Sequence, residues 1–480
     1  MSFNALLNTL LRRVAGSGNG TDDASTPYQA NTSKLSERLL DVFLRTFDLG
    51  FTAFGGPPVH FQIFHRRFVD GIGKTPWIDE QTYQELFAIS QALPGPASTK
   101  MLFNIAHIHA GHIPAMFVFL LWSLPGAIAM YGLSLGVEKI SETLPAPAYA
   151  LLSGLNAATV GIIALAAVQL ARKAITDPLT RVLVLFGGSA GLCYNALWYF
   201  PVLLVAGGAV TWPTVASSSI VVSAVPHTED EATVSAVQPS RSDISAHRIP
   251  AKIGLLIILA FFATFTAFMV TRGVIDSAPL LLALFNNMFL AGTVIFGGGP
   301  VVIPLLRDYV VDPGWVLPRD FLLGLAVIQA LPGPNFNFAI YLGALAVTGP
   351  ASSKSIPTIV GALLAFLGVF TPGLWLSVGF QSIWQSLRRR REVASVLRGV
   401  NAAAVGFVFT AVYRLWEIGY ITPEESRGSS LAKEPWWLVV AAATFTVVEW
   451  FSTPPPLAIL AGGVAGIGWW AAIARRTSFA

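Results

Sequence analysis

The chain has 480 residues, 12% of them charged and 54% of them in the AVILMFWYC set. A soluble domain carries about 25% charged residues, so 30 basic and 26 acidic side chains cannot coat a water-exposed surface of this size, and most of it must face lipid. One cysteine, Cys193, excludes an internal disulfide and a multi-cysteine metal or iron–sulfur centre, and a net charge of +4 scattered between apolar runs argues against nucleic-acid binding.

Residues 1–37 are polar and rich in Gly, Ser, Thr and Asn, which predicts a disordered tail. The short apolar stretch that opens the chain has its arginines on the wrong side for a signal peptide, and no small-residue cleavage pattern follows. At roughly 20 apolar residues per crossing, spans are predicted over 39–56, 84–106, 113–136, 149–171, 181–196 and 197–212. A polar loop follows at 213–250, carrying Glu229, Asp230, Glu231, Arg241, Asp243 and Arg248. A linking segment at 251–277 holds a strong span over 252–271. Further spans fall at 280–297, 320–348 (interrupted), 356–379, 396–417, 436–451 and 456–474, for about thirteen transmembrane segments in an all-α polytopic membrane protein.

The chain repeats itself. Phe54-Gly55-Gly56-Pro57 answers Gly297-Gly298-Gly299-Pro300 at an offset of 243, and Gln91-Ala92-Leu93-Pro94-Gly95-Pro96 recurs letter for letter from Gln329 to Pro334 at 238. Pro125-Gly126 matches Pro372-Gly373 at 247, and the run Asn156-Ala157-Ala158 matches Asn401-Ala402-Ala403 at 245. Four collinear matches at nearly one spacing define two homologous halves, 38–212 and 278–476. Charge sets their orientation, because cytoplasmic loops collect Lys and Arg. After the third span the first half has Lys139 against Glu138 and Glu142, where the second has Arg388 to Arg391 and Arg398. The next loop reverses the bias, with Arg172, Lys173 and Arg181 against an acidic-leaning stretch from Arg414 to Glu434, whereas the loops 61–80 and 301–319 do not discriminate. Inverted repeats are predicted, with the N-terminus inside.

Glycine–proline clusters inside apolar runs break the helix, since proline removes a donor and glycine admits conformations other residues avoid. Irregular backbone at membrane depth persists only where protein or a water-filled cavity satisfies it, and broken helices at matched positions of two halves point to a transport site. A helix restarting after such a break aims free N–H groups and its positive dipole end at the gap, which suits an anion. The substrate-binding candidates are therefore Gly55, Gly56, Pro57, Pro94, Gly95, Pro96, Gly298, Gly299, Pro300, Pro332, Gly333 and Pro334, flanked by Gln91 and Gln329 one turn earlier. Ser98, Thr99, Lys100 and Asn104 follow the first Pro-Gly-Pro, and Asn335, Asn337 and Tyr341 the second. Lys100 has no carboxylate at helical spacing, leaving a mobile anion or a snorkelled ammonium as the alternatives. Arg45 and Asp48, three apart, are expected to pair. His60, like Asp48, is a candidate for proton handling or gating, or else an interfacial histidine; the second half has Ile303 there. His107, His109 and His112 lack the carboxylate of a metal-binding helix, so no metal or cofactor is expected. No phosphate-binding loop, H-E-x-x-H or G-x-S-x-G occurs, so the chain is not expected to be an enzyme.

The FGGPPVH stretch from Phe54 to His60, the duplicated QALPGP, the Pro-Gly pairs and the Asn-Ala-Ala runs resemble the chromate ion transporter family in its long, two-domain form, across 38–476. The resemblance implies a multi-pass plasma-membrane exporter of chromate, a tetrahedral dianion that sulfate mimics. It maps the family's Phe-Gly-Gly-Pro onto Phe54 to Pro57 and its Pro-Gly-Pro onto Pro94 to Pro96. Gly297 and Ile303 depart from the pattern in the second half and imply different work for the two halves. The alternatives are proton-coupled uptake of sulfate or a related oxyanion, and a non-transporting oxyanion sensor or membrane enzyme. The partners expected are the chromate or sulfate anion, the lipid bilayer and, for any oligomer, a second copy in a homodimer.

Overall fold

The computed structural model describes residues 30–54, 56–71, 75–139, 144–193, 199–212, 247, 249–275, 278–295, 302–349, 352, 355–387, 390–425 and 428–474. The predicted tail up to residue 29, most of the polar loop (213–246), Arg388, Arg389, Gly55, Gly298, Gly299 and Pro300 lie outside them. The described residues form helices and turns, with one isolated bridge between Tyr420 and Ser429.

In the first half the helices are α1 (Leu35–Thr46), α2 (Leu49–Thr52), α3 (Gly56–Phe68), α4 (Glu80–Ala92), α5 (Ala97–Ala110), α6 (His112–Val137), α7 (Ala146–Ala174), α8 (Pro178–Cys193) and α9 (Tyr199–Thr211). The linking helix is α10 (Ala251–Val274). The second half has α11 (Leu280–Val294), α12 (Val302–Val310), α13 (Pro318–Ala330), a 3-10 turn (Asn335–Asn337), α14 (Phe338–Ala346), α15 (Thr358–Leu387), α16 (Arg391–Ile418), α17 (Pro435–Phe451) and α18 (Pro455–Trp469). Among the described residues six helices, α6, α7, α10, α15, α16 and α18, are long and apolar enough to cross a membrane, and shorter apolar helices accompany them.

The segments 84–106 and 320–348 read as spans by length, but each folds as two short helices that turn back at Pro-Gly-Pro. Trp77, just before α4, stacks on His109 at the end of α5, with ring centroids 4.3 Å apart, so both ends of this hairpin sit at one face of the bundle. Trp315, just before α13, lies against Gly349, just after α14, and closes the second hairpin in the same way. The apolar run before each hairpin folds back too. Arg45 of α1 donates to the Arg67 carbonyl of α3 at 2.7 Å, and Asn287 of α11 donates to the Tyr309 carbonyl of α12 at 2.9 Å.

The hairpins of the two halves open toward opposite faces. α6 leaves the His109 face and reaches the other, where Tyr131 bonds Thr358 at the start of α15 at 2.8 Å. α15 returns, and its Gln381 bonds His107 at the first face at 2.6 Å. The halves also exchange their last helices. α7 of the first half packs against α17 and α18 of the second, while α16 of the second packs against α8 and α9 of the first. Small residues permit this approach: Gly463 meets Leu151 and Leu155 of α7, and Gly207 meets Ala403 and Gly399 of α16. The Asn-Ala-Ala runs sit on these two central helices, where Asn156 donates to the Gly419 carbonyl at 3.0 Å.

Candidate functional site

Each Pro-Gly-Pro is stitched to the break of the opposite half. Gly95, at φ 95°, donates its N–H to the Ile295 carbonyl at 2.6 Å, and Gly333, at φ 83°, donates to the Ala53 carbonyl at 2.9 Å. Ala53 and Ile295 immediately precede the Phe-Gly-Gly elements of their own halves. A helix end leaves its last carbonyls without partners, and here the opposite half supplies one. The Pro-Gly pairs, inside α6 and α15, form the other wall: a Cβ at Gly126 would lie 2.6 Å from Asn337 Nδ2, and one at Gly95 would lie 2.6 Å from Gly373 Cα. Each Pro-Gly-Pro thus meets the Pro-Gly pair of the opposite half and the end of the helix that leads into its Gly-Gly-Pro.

The first Pro-Gly-Pro is sealed. Pro96 caps α5, and Ser98, Thr99 and Lys100 on its first turn are all buried. Lys100 Nζ donates to the carbonyls of Leu93 and of Pro94, the latter at 2.9 Å, and so closes the end of α4. The ammonium is enclosed by protein, so it does not snorkel. Trp122 Nε1 donates to Thr99 Oγ1 at 3.1 Å. His60 Nε2 donates to the Ala53 carbonyl at 3.1 Å, which leaves Nδ1 to accept from the Ser98 hydroxyl at 3.1 Å. His60 is 1% exposed and set edge-on to Trp122, so it is not an interfacial histidine.

The second Pro-Gly-Pro opens onto a cavity of about 480 Å³. Its floor is Phe54, Gly56 and Pro57 from the first half with Gln329, Leu331 and Asn335 from the second. Gln329 Oε1 accepts from Asn335 Nδ2 at 3.2 Å, while Gln329 Nε2 is buried with no hydrogen-bond partner among the described residues. Pro334 caps the turn into α14, whose first intrahelical bond runs from Asn337 N–H to the Pro334 carbonyl at 3.0 Å, so the Asn335 and Phe336 amides precede it. Asn337 itself points away, donating to the Ser123 carbonyl at 2.9 Å. Gly56 opens α3 at φ 75°, and a Cβ there would meet nothing within 4 Å. Pro57 and Pro58 then lack N–H groups, so Gly56 and Val59 are the first-turn donors of α3.

The walls come from the face of α7 between Ile162 and Leu170 and from the corner of α17 and α18, where Glu449 accepts from Gln169 and Arg172, both at 3.0 Å. That corner turns on Ser452, a non-glycine residue at φ 52°. Glu449, Gln169 and Arg172 are absent from the sequence-derived candidates; a carboxylate within an apolar span was the available signal. At this end of the lining, Glu449 is next to Arg172.

Among the other candidates, Gln91 is half-buried away from the cavity wall, and Pro94, Pro96 and Pro332 belong to the stitched turns. The expected Arg45–Asp48 pair does not form. Asp48 accepts two bonds from Arg67, at 2.5 and 2.8 Å, because α3 folds back alongside α1. Arg45 instead donates to the Thr75 and Arg67 carbonyls and lies over the Trp77 ring at 5.3 Å. Among the described residues no group of three or more His, Cys, Asp or Glu could hold a metal.

A family model described as "Chromate transporter" matches residues 40–212 and 282–467. A chromate transport protein of Pseudomonas aeruginosa is 27% identical over 367 residues, covering 76% of this chain and 78% of that protein. A probable chromate transport protein of Synechococcus elongatus is 27% identical over 448 residues, covering 90% and 95%. A chromate transport protein of Cupriavidus metallidurans is 24% identical over 393 residues, covering 82% and 85%. No solved structure matches the chain.

Proposed function

The chain belongs to the chromate transporter family, and from that premise we propose that it exports chromate across the plasma membrane as a secondary transporter, binding the dianion at the floor of the 480 Å³ cavity. The observation that carries this reading is the floor's chemistry: the unpartnered Gln329 amide, the first-turn amides before α14 and Gly56, which lines the cavity. Such neutral donors bind an oxyanion without holding it as tightly as an arginine cluster would. At roughly 30 Å³ per water, the cavity has room for the anion with part of its hydration shell.

Orientation supports export. The Gln169–Glu449 end of the cavity lining adjoins Arg172, and Arg398 pairs with Asp177 just beyond α7; on this reading that basic side is the cytoplasmic one. The N-terminus is then cytoplasmic and the cavity accepts anion from inside. One charge moving through 100 mV is worth about 2.3 kcal/mol, so a dianion leaving a negative-inside cell gains about 4.6. The membrane potential alone suffices as the driving force when the chromate gradient is modest.

The test is flux of labelled chromate and sulfate in proteoliposomes under an imposed potential. Export requires chromate movement toward the positive side, steepening with potential, with sulfate competing. Flux indifferent to potential, or sulfate accumulation only when protons accompany it, would replace export by proton-coupled uptake. Saturable binding without flux would leave a sensor or an enzyme.

A further inference from the structure

A second cavity, of about 510 Å³, lies away from the transport floor, where the corner between α5 and α6 meets the start of α10. Its polar end is Arg38, His107, His112 and His247. Gly111, at φ 90°, makes this gathering possible. A Cβ there would lie 3.2 Å from both Arg38 Nη1 and His247 Nδ1, so the glycine lets both groups close onto the corner. Arg38 uses Nη1 on the Ala110 carbonyl at 2.8 Å, and its Nε is buried without a partner among the described residues. His247 donates through Nε2 to the Asn31 carbonyl at 3.0 Å, and His107 bonds Gln381 through Nδ1. Both bonds use the ring N–H, which leaves the other nitrogen of a neutral ring an acceptor with nothing to donate to an anion; His112, edge-on to His107 at 4.8 Å, makes no hydrogen bond among the described residues and keeps its N–H for a ligand. No described carboxylate lines this cavity. Asp41, one turn beyond Arg38, is engaged by His109 and Asn31.

The opposite wall is apolar: Ile249, Ile253 and Ile257 lead into α10, and Ile113 joins them from α6. Ile253 and Ile113 are exposed, and the wall continues into the outward face of α10, where Leu256 and Leu259 are also exposed. α10 is the least covered of the long spans, with 17% of its apolar window buried. A cationic, carboxylate-free end beside a strip of lipid-facing isoleucines is the shape of an amphiphile. We propose that this cavity binds a phospholipid by its anionic phosphodiester headgroup, held by Arg38 and His112, with an acyl chain lying along Ile253 and Ile257 of α10. The site fastens the N-terminal helix α1, the α5–α6 corner and the linking helix to one lipid, and it stands independently of the transport reading.

Native mass spectrometry of the full chain, released from bilayers with and without phosphatidylglycerol, tests this. One tightly retained phosphatidylglycerol is expected on the wild type. Losing a charge-assisted bond makes retention fall about tenfold in Arg38→Gln, and by a smaller factor in His112→Gln. His112→Gln changes an exposed ring and keeps the test valid if Arg38→Gln fails to fold. Ile253→Ser is expected to weaken retention while leaving binding of soluble glycerol phosphate unchanged. Wild-type retention in both Arg38→Gln and His112→Gln overturns the site. Full protection of the corner from thermal unfolding by glycerol phosphate alone overturns the lipid and leaves a free phosphate-ester site.

Discussion

The two Pro-Gly-Pro turns are identical in sequence and differ in what surrounds them. The first is closed by Lys100, whose ammonium bonds the carbonyls left at the end of α4, and by the Ser98–His60–Ala53 chain. The second has Phe338 where Lys100 stands, packed on Phe321 at 5.1 Å, and its polar groups Gln329 and Asn335 turn to the cavity. One copy is thus saturated with internal bonds, and in the proposed reading the other presents donors to the anion. Duplication made the two turns alike, and the residues one helical turn away have separated their tasks.

The largest effect is expected at the glycines themselves. Gly95 combines φ 95° with a backbone neighbour, Gly373 Cα, 2.6 Å from any added Cβ, whereas a Cβ at Gly333 meets the Trp122 carbonyl at 3.1 Å. Left-handed strain costs about 1–2 kcal/mol, and overpacking adds about 1–3. Gly95→Ala is expected to lose about 3 kcal/mol or more and Gly333→Ala about 2, read as melting temperature in detergent. Equal losses would mean that the two turns are packed alike and the comparison fails.

Next comes the lysine. Lys100→Met strands two buried carbonyls, and an unsatisfied buried acceptor costs about 1–3 kcal/mol. A stability loss of about 2 kcal/mol or more is expected, with the apparent Km for chromate unchanged. At the equivalent position, Phe338→Leu removes only apolar contacts and costs about 1–2 kcal/mol. A raised Km in Lys100→Met at wild-type stability would return the lysine to the anion path.

Much of this organisation is legible in the residues and some of it is not. The letter-for-letter recurrence of Gln-Ala-Leu-Pro-Gly-Pro announces two halves and locates their breaks, because proline and glycine inside apolar runs have few other uses. The reversed charge of matched loops anticipates hairpins that open toward opposite faces. The re-entrant fold of 84–106 is hidden, since length and hydropathy are the same whether a segment crosses or turns back. Pairing partners are hidden too. Asp48 finds Arg67 instead of Arg45 because α3 doubles back beside α1, which local spacing does not encode. Lys100 looks like an anion ligand until the carbonyls beside it are located in space.

Gly56 separates conformation from packing. Its φ of 75° sits in open space, so Gly56→Ala costs about 1–2 kcal/mol in strain alone and the protein still inserts. The first-turn amide then turns aside, and chromate flux is expected to fall about tenfold, the effect of one lost donor to an anion. Wild-type flux in Gly56→Ala would remove the backbone of the first half from the site and leave the second half to bind alone.

The finest discrimination is between Gln91 and Gln329, which occupy the same place before their turns. Gln329 Nε2 is buried without a partner at the cavity floor, while Gln91 is half-buried off the wall. A neutral amide bonded to an anion contributes about 1.5–3 kcal/mol, so Gln329→Leu is expected to raise the apparent Km for chromate about tenfold. Gln91→Leu is expected to leave it within about twofold, since no charged guest reaches it and a peripheral change moves free energies by about 0.5 kcal/mol. The pair is informative because the substitutions are chemically identical, so differences in expression or insertion cancel. Matching rises in Km would show that the anion visits both turns in sequence, and the assignment of a saturated turn to one copy and the site to the other would fall.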